Sequence, residues 1–168
     1  MTTPSQKQIA LADLEQEIAT TRRALERVPD EHLDWKPHEK SMSLGALATH
    51  LAGIAFYGVA TMQGDELDFA GRPPTPVAAS RDELLIGFDE NITTFRALLD
   101  TADDEAINRP WSLRNGEHVV FTLPRVAVLR RLVINHMVHH RGQLSVYLRL
   151  LDVPVPSMYG PTADEGAF

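Results

Sequence analysis

The chain has 168 residues, 43 % of them hydrophobic, so a single domain spanning residues 1–168 with a sizeable core is expected. Sixteen Lys and Arg against 23 Asp and Glu leave a net charge of −7, and no basic stripe stands ready to neutralise phosphates, which argues against a nucleic-acid partner. Cysteine is absent, excluding disulfides, thiolate metal ligands and cysteine nucleophiles.

The N-terminal segment is polar and regularly charged, without the apolar centre of a secretory signal, so a cytoplasmic protein is expected. Leu11, Leu14, Ile18, Leu25 and Val28 recur at three- and four-residue spacings, with Thr21 filling the gap, and predict a first helix over 5–28. Pro29 and Pro37 bracket an irregular link containing Trp35. Ser43 then caps a second helix that runs to about Gln63 and stops at Gly64. Residues 44–62 carry no charge and are long enough to raise a membrane span. His50 inside the stretch, three glycines and the lack of flanking basic clusters favour a helix buried by protein neighbours, with no membrane partner.

Residues 64–79 hold Gly64, Gly71, Pro73, Pro74 and Pro76, a composition that resists regular structure and reads as a long crossover. Ser80-Arg81-Asp82-Glu83 fits a capping box, and Leu84, Phe88, Ile92, Phe95 and Leu99 form the inward stripe of a third helix. Trp111-Ser112-Leu113 and His118 to Thr122 flank Asn115-Gly116, which predicts a small β-hairpin. Pro124 suits the first turn of a fourth helix reaching Leu151, followed by a Pro- and Gly-punctuated tail. The expected fold is all-α: a four-helix bundle with a long crossover between helices 2 and 3 and a β-hairpin before helix 4. Such bundles build metal and ligand sites from side chains on facing helices.

His136 and His140 lie one helical turn apart, so both rings can reach one ion. At about 100° per residue, His140 falls near the middle of an apolar face with Leu129, Leu132, Val133, Leu144, Tyr147 and Leu151, while His139 sits near its edge. Arg141 is expected to project away from that face, to solvent or a second subunit. Gln143 can orient one imidazole or make a plain interhelical hydrogen bond. A functional site normally needs a third protein ligand and an open position. His50, strongly polar in the middle of helix 2 and on the face of Leu47 and Ile54, is the natural third, although a lone buried histidine is more often a core residue. His32, His38 and His118 fall in the link and hairpin and are expected in solvent. Tyr159 in the tail can pack or fold back over the site. No phosphate loop or nucleophile elbow occurs, and no carboxylate falls on the inward face of helix 4 to bridge two metals.

His50 in Ala48-Thr49-His50-Leu51, the run Asn135-His136-Met137-Val138-His139-His140-Arg141-Gly142-Gln143 and the tail Val155-Pro156-Ser157-Met158-Tyr159-Gly160-Pro161 together resemble the DinB-like (DinB/YfiT-like) metalloprotein family. Thr21-Arg22-Arg23, Trp35-Lys36-Pro37 and Trp111 add to the likeness, which covers nearly the whole chain. The resemblance implies a three-histidine site on His50, His136 and His140, a zinc or nickel ion, and a homodimer. Two uses of such a site are open. One is a metal-dependent transferase, isomerase or hydrolase acting on a small electrophilic substrate, with any thiol supplied by a low-molecular-weight cosubstrate. The other is a non-catalytic, metal-stabilised or stress-associated dimeric module.

Overall fold

The computed structural model describes residues 6–166. Helix α1 spans Gln6–Leu25; the predicted start at Ser5 and the side chain of Leu11 lie outside what is described. Leu14, Ile18, Thr21, Leu25 and Val28 are all buried, so the stripe read from the spacing is the packed face. The helix ends before Val28, which stays in the core from the following turn.

The second rod is two helices in tandem, α2 (Leu44–Gly53) and α3 (Ala55–Gln63). Ser43 caps α2, its Oγ accepting from the Ala46 amide at 3.2 Å, and Gly64 closes α3. They divide at Ile54, whose amide donates to Leu51 three residues back while its carbonyl accepts from Tyr57. This tightens the backbone for one turn without leaving helical dihedrals. Leu44–Gln63 is long and apolar enough to cross a membrane, but 61 % of its most apolar window is buried within the fold, as befits a core helix.

Helix α4 (Arg81–Thr101) begins at the expected cap: Ser80 Oγ accepts from the Glu83 amide, and the Glu83 carboxylate accepts from the Ala79 amide, one residue earlier than a simple capping box would have it. Its buried residues are the predicted Leu84, Phe88, Ile92, Phe95 and Leu99. At Gly58 the α3 and α4 rods touch: a Cβ there would stand 2.6 Å from the Phe95 ring.

A short helix α5 (Asp104–Asn108), capped by Asp103, precedes strands β2 (Pro110–Asn115) and β3 (His118–Pro124). The hairpin is present, but Asn115 pairs with His118, so its two central residues are Gly116 and Glu117, with Gly116 at a φ of +62°. The crossover is more ordered than its composition predicts. Glu66–Asp68 forms strand β1 and pairs in parallel with β2, giving a three-stranded sheet of order β1-β2-β3. Buried Leu67 drives this by joining Trp111, Leu113 and Val128 in a small second core. The Asp68 carboxylate, which accepts from the amides of Ala70 and Gly116, clamps the crossover to the hairpin turn.

The last rod starts as α6 (Arg125–Val128), with Pro124 one residue before its first turn, and ends as α7 (Asn135–Leu150). Between them Leu129–Ile134 is π-helical. In the main core α1 packs on α4 and α7, and α2 packs on α4 and α7. That last contact brings His50 to His136 and His140.

Candidate metal centre

The π-helical turn alters the phase of the last helix. Buried residues within α7 are Met137, Arg141, Leu144 and Leu148, so the core-facing stripe is centred about 100° round from His136. His136 and His140 are half-buried on its flank. The even 100° wheel placed His140 mid-face; a wider π turn preceding α7 makes a uniform angle across Leu129–His140 invalid.

His50 meets them from α2. Its Nε2 lies 3.1 Å from His136 Nε2, and the ring centroids of His50, His136 and His140 are 4.5–4.9 Å apart. One nitrogen from each of the three lies within 4.8 Å of the others, the only such group of potential ligands among the described residues. Two imidazole nitrogens bound to one tetrahedral zinc at about 2.0–2.1 Å sit about 3.3 Å apart. The His50 to His136 spacing therefore fits a shared divalent cation.

The electrostatics suit that task. Burial lowers the pKa of all three imidazoles, and each is lowered further by a neighbouring histidine; His136 is pushed down to about 4. All three are thus neutral near pH 7, the protonation state in which imidazole can coordinate a metal. The Gln143 carbonyl oxygen accepts from His140 Nδ1 at 2.7 Å, which puts the ring proton on Nδ1 and leaves Nε2 unprotonated.

The other sequence-predicted residues divide clearly. His139 is exposed beside His140, its ring 4.7 Å from it, and does not join the three nitrogens. His38 and His118 are exposed as expected, whereas His32 is half-buried. Arg141 corrects the expectation of a solvent-facing side chain: it is 1 % exposed, donates to Thr21 and to the Glu17 carbonyl, and pairs with the Glu17 carboxylate. The core-facing stripe runs through position 141, and α1 supplies the anion that makes a charge tolerable there. Tyr159 packs over this pair, accepting from Arg141 and donating to Glu17 through its hydroxyl.

His50 also lines an open cavity of about 970 Å³ walled by α2, α3, α4 and the crossover. Phe56, Tyr57, Phe69, Val77 and the Pro73-Pro74 pair give it an apolar lining. Two lining residues escaped sequence reasoning. Tyr57 stands with its ring 5.9 Å from that of His136, its phenol pKa raised by burial. Arg72 lies in the crossover, a segment that showed only turn-forming residues.

A helical bundle with three converging histidines, one of them lining a cavity, defines a class of candidate metalloproteins. Residues 13–144 match the DinB superfamily, and the chain belongs to that family. It is 27 % identical over 161 residues to the uncharacterized protein YrdA of Bacillus subtilis, covering 94 % of this chain and 90 % of YrdA. Among solved structures, a DinB-like protein of Bacillus cereus shares 24 % identity at a TM-score of 0.69, over 89 % of this chain and 95 % of that one. YfiT of Bacillus subtilis, described as a probable metal-dependent hydrolase with an unusual four-helix bundle topology, shares 19 % identity at a TM-score of 0.65, over 90 % and 91 % of the two chains. These likenesses show the common bundle fold.

Proposed function

We propose that this chain is a metal-dependent enzyme in which His50, His136 and His140 hold one divalent cation, zinc or nickel, at the mouth of the cavity. The observation that carries the reading is the convergence of three neutral imidazoles beside an accessible apolar pocket. Three neutral ligands leave the charge of the ion uncompensated and a coordination position open. A cation so held supplies Lewis-acid polarisation and lowers the pKa of a water or thiol bound to it. Hydrolysis of a small electrophile is supported by the description of YfiT. Thiol transfer fits the same site, but the thiol must be a small-molecule cosubstrate because the sequence has no cysteine. Within the chain, Gln143 fixes the His140 ring, and Phe56, Phe69 and Tyr57 keep the pocket apolar. The family resemblance further supports a homodimer.

Elemental analysis of protein purified without added metal, followed by turnover assays with ester, amide and thiol-plus-electrophile panels, tests the reading. Metal content equal to that of a His136→Ala variant would sink it. One observation favours the alternative of a non-catalytic metal-stabilised module: among the described residues no carboxylate lines the cavity to act as a general acid or base. Stoichiometric metal with no turnover on any panel, and a thermal midpoint that falls on chelation, would decide for that module.

A further inference from the structure

The cavity beside the histidines carries one kind of charge. Among the described residues its lining includes a single ionic side chain, Arg72, with no Asp or Glu, and the remaining wall is mostly aromatic, proline and aliphatic. Arg72 is exposed and has no ion-pair partner within 4 Å among the described residues. The nearby Asp68 feels its charge, yet one Asp68 oxygen is committed to the amides of Ala70 and Gly116. The Arg72 guanidinium instead lies over the Phe56 ring, 5.2 Å from its centroid. That contact holds the charge beside the ring, and no side-chain hydrogen bond ties up its N–H groups among the described residues, so they remain available to a carboxylate, which a guanidinium can grip with two hydrogen bonds. Two other polar groups on the wall are already engaged: Thr49 Oγ1 accepts from the Ala78 amide, and the Asn91 amide donates to the Gly87 carbonyl. The cavity volume matches small-molecule sites, which combine apolar walls with few orienting polar groups.

From this we infer that the site takes a small organic anion with an apolar, preferably aromatic, body, its carboxylate held by Arg72 at the crossover and its other end directed to the histidine cluster. The inference builds on the metal-centre reading, but Arg72 makes a claim of its own: the acid is recognised by the protein and not by the cation. It makes Arg72 a specificity-determining residue.

The test compares 3-phenylpropionate with its uncharged amide by isothermal titration calorimetry, on metal-loaded and metal-depleted protein, in the wild type and in Arg72→Gln. Wild-type protein is expected to bind the acid about tenfold or more tighter than the amide in both metal states, a difference of about 1.4 kcal/mol or more. Arg72→Gln is expected to bring the two within about twofold of each other, with metal content unchanged. A preference that survives Arg72→Gln, or one that vanishes when the metal is removed, means the carboxylate goes to the cation and overturns the inference while leaving the metal centre intact. Failure of both ligands to bind at millimolar concentration overturns it as well. If the protein carries no metal yet shows the Arg72-dependent preference, the metal reading fails and the anion site stands.

Discussion

Arg141 and Glu17 form an ion pair inside the bundle, Arg141 Nη2 standing 2.6 Å from Glu17 Oε2 with 1 % and 9 % of their side chains exposed. The pair joins α7 to α1 at the residue that follows His140 in the chain, and the Tyr159 hydroxyl from the tail bonds both partners. Removing one member strands the other charge in a low-dielectric interior. Arg141→Met is therefore expected to destabilise the protein by about 3–5 kcal/mol. The double variant Arg141→Met with Glu17→Leu should recover much of the loss, because no uncompensated charge remains. Urea unfolding of both variants checks this, and equal destabilisation of single and double variants would show that the pair is not the cause.

The contact of α3 with α4 depends on Gly58. An alanine there places its Cβ 2.6 Å from a Phe95 ring that is itself buried, so the helices must part or the ring must leave its position. Gly58→Ala is expected to cost about 1–3 kcal/mol by overpacking, despite the better helix propensity of alanine. Phe95→Leu in the Gly58→Ala background should restore part of it. Thermal melts report both effects; an unchanged or raised midpoint for Gly58→Ala would contradict the packing account.

Single alanine substitutions at His50, His136 and His140 are each expected to strip the bound metal during purification, whereas His139→Ala should retain it. Gln143→Ala removes only the group that orients His140 and should weaken metal affinity by about 10–100-fold. Competition with a chromogenic chelator ranks the variants. Loss of metal in His139→Ala equal to that in His140→Ala would overturn the assignment of ligands.

Acid should destabilise the metal-free protein through His136. Its folded-state pKa is about 4, against about 6.5 for a free histidine, so the unfolded chain binds a proton that the folded one refuses. The contribution is fully present above pH 6.5 and is lost as the pH falls from there towards 4. Melting temperatures of chelator-treated protein are expected to drop across that window, and the drop should be smaller in His136→Leu. Equal pH slopes in the two proteins would count against this origin.

Much of this molecule was legible in the sequence. The stripe Leu84, Phe88, Ile92, Phe95 and Leu99, the caps at Ser43 and Ser80, and the hairpin around Gly116 are local patterns, and each is present because neighbouring residues alone satisfy the backbone and divide apolar from polar faces. The one-turn spacing of His136 and His140 is local in the same sense. Strand β1 was not legible, since Glu66-Leu67-Asp68 becomes a strand only when β2 offers it a partner and Trp111 a core to join.

Sequence by itself therefore determined which helices form and which residue types could gather at a site. Tertiary structure decided which way they face. A π-helical turn, which no spacing rule announces, rotates α7 so that Arg141 enters the core to meet Glu17 and the histidines turn to the flank. Packing of α2 on α7 then sets His50 Nε2 3.1 Å from His136 Nε2, across 86 residues of chain. The crossover likewise becomes a cavity wall, with Arg72 on it, only because β1 pins one end of it to the sheet. Each is a long-range contact, fixed by the balance of burial and hydrogen bonding over the whole bundle and so invisible to any local window.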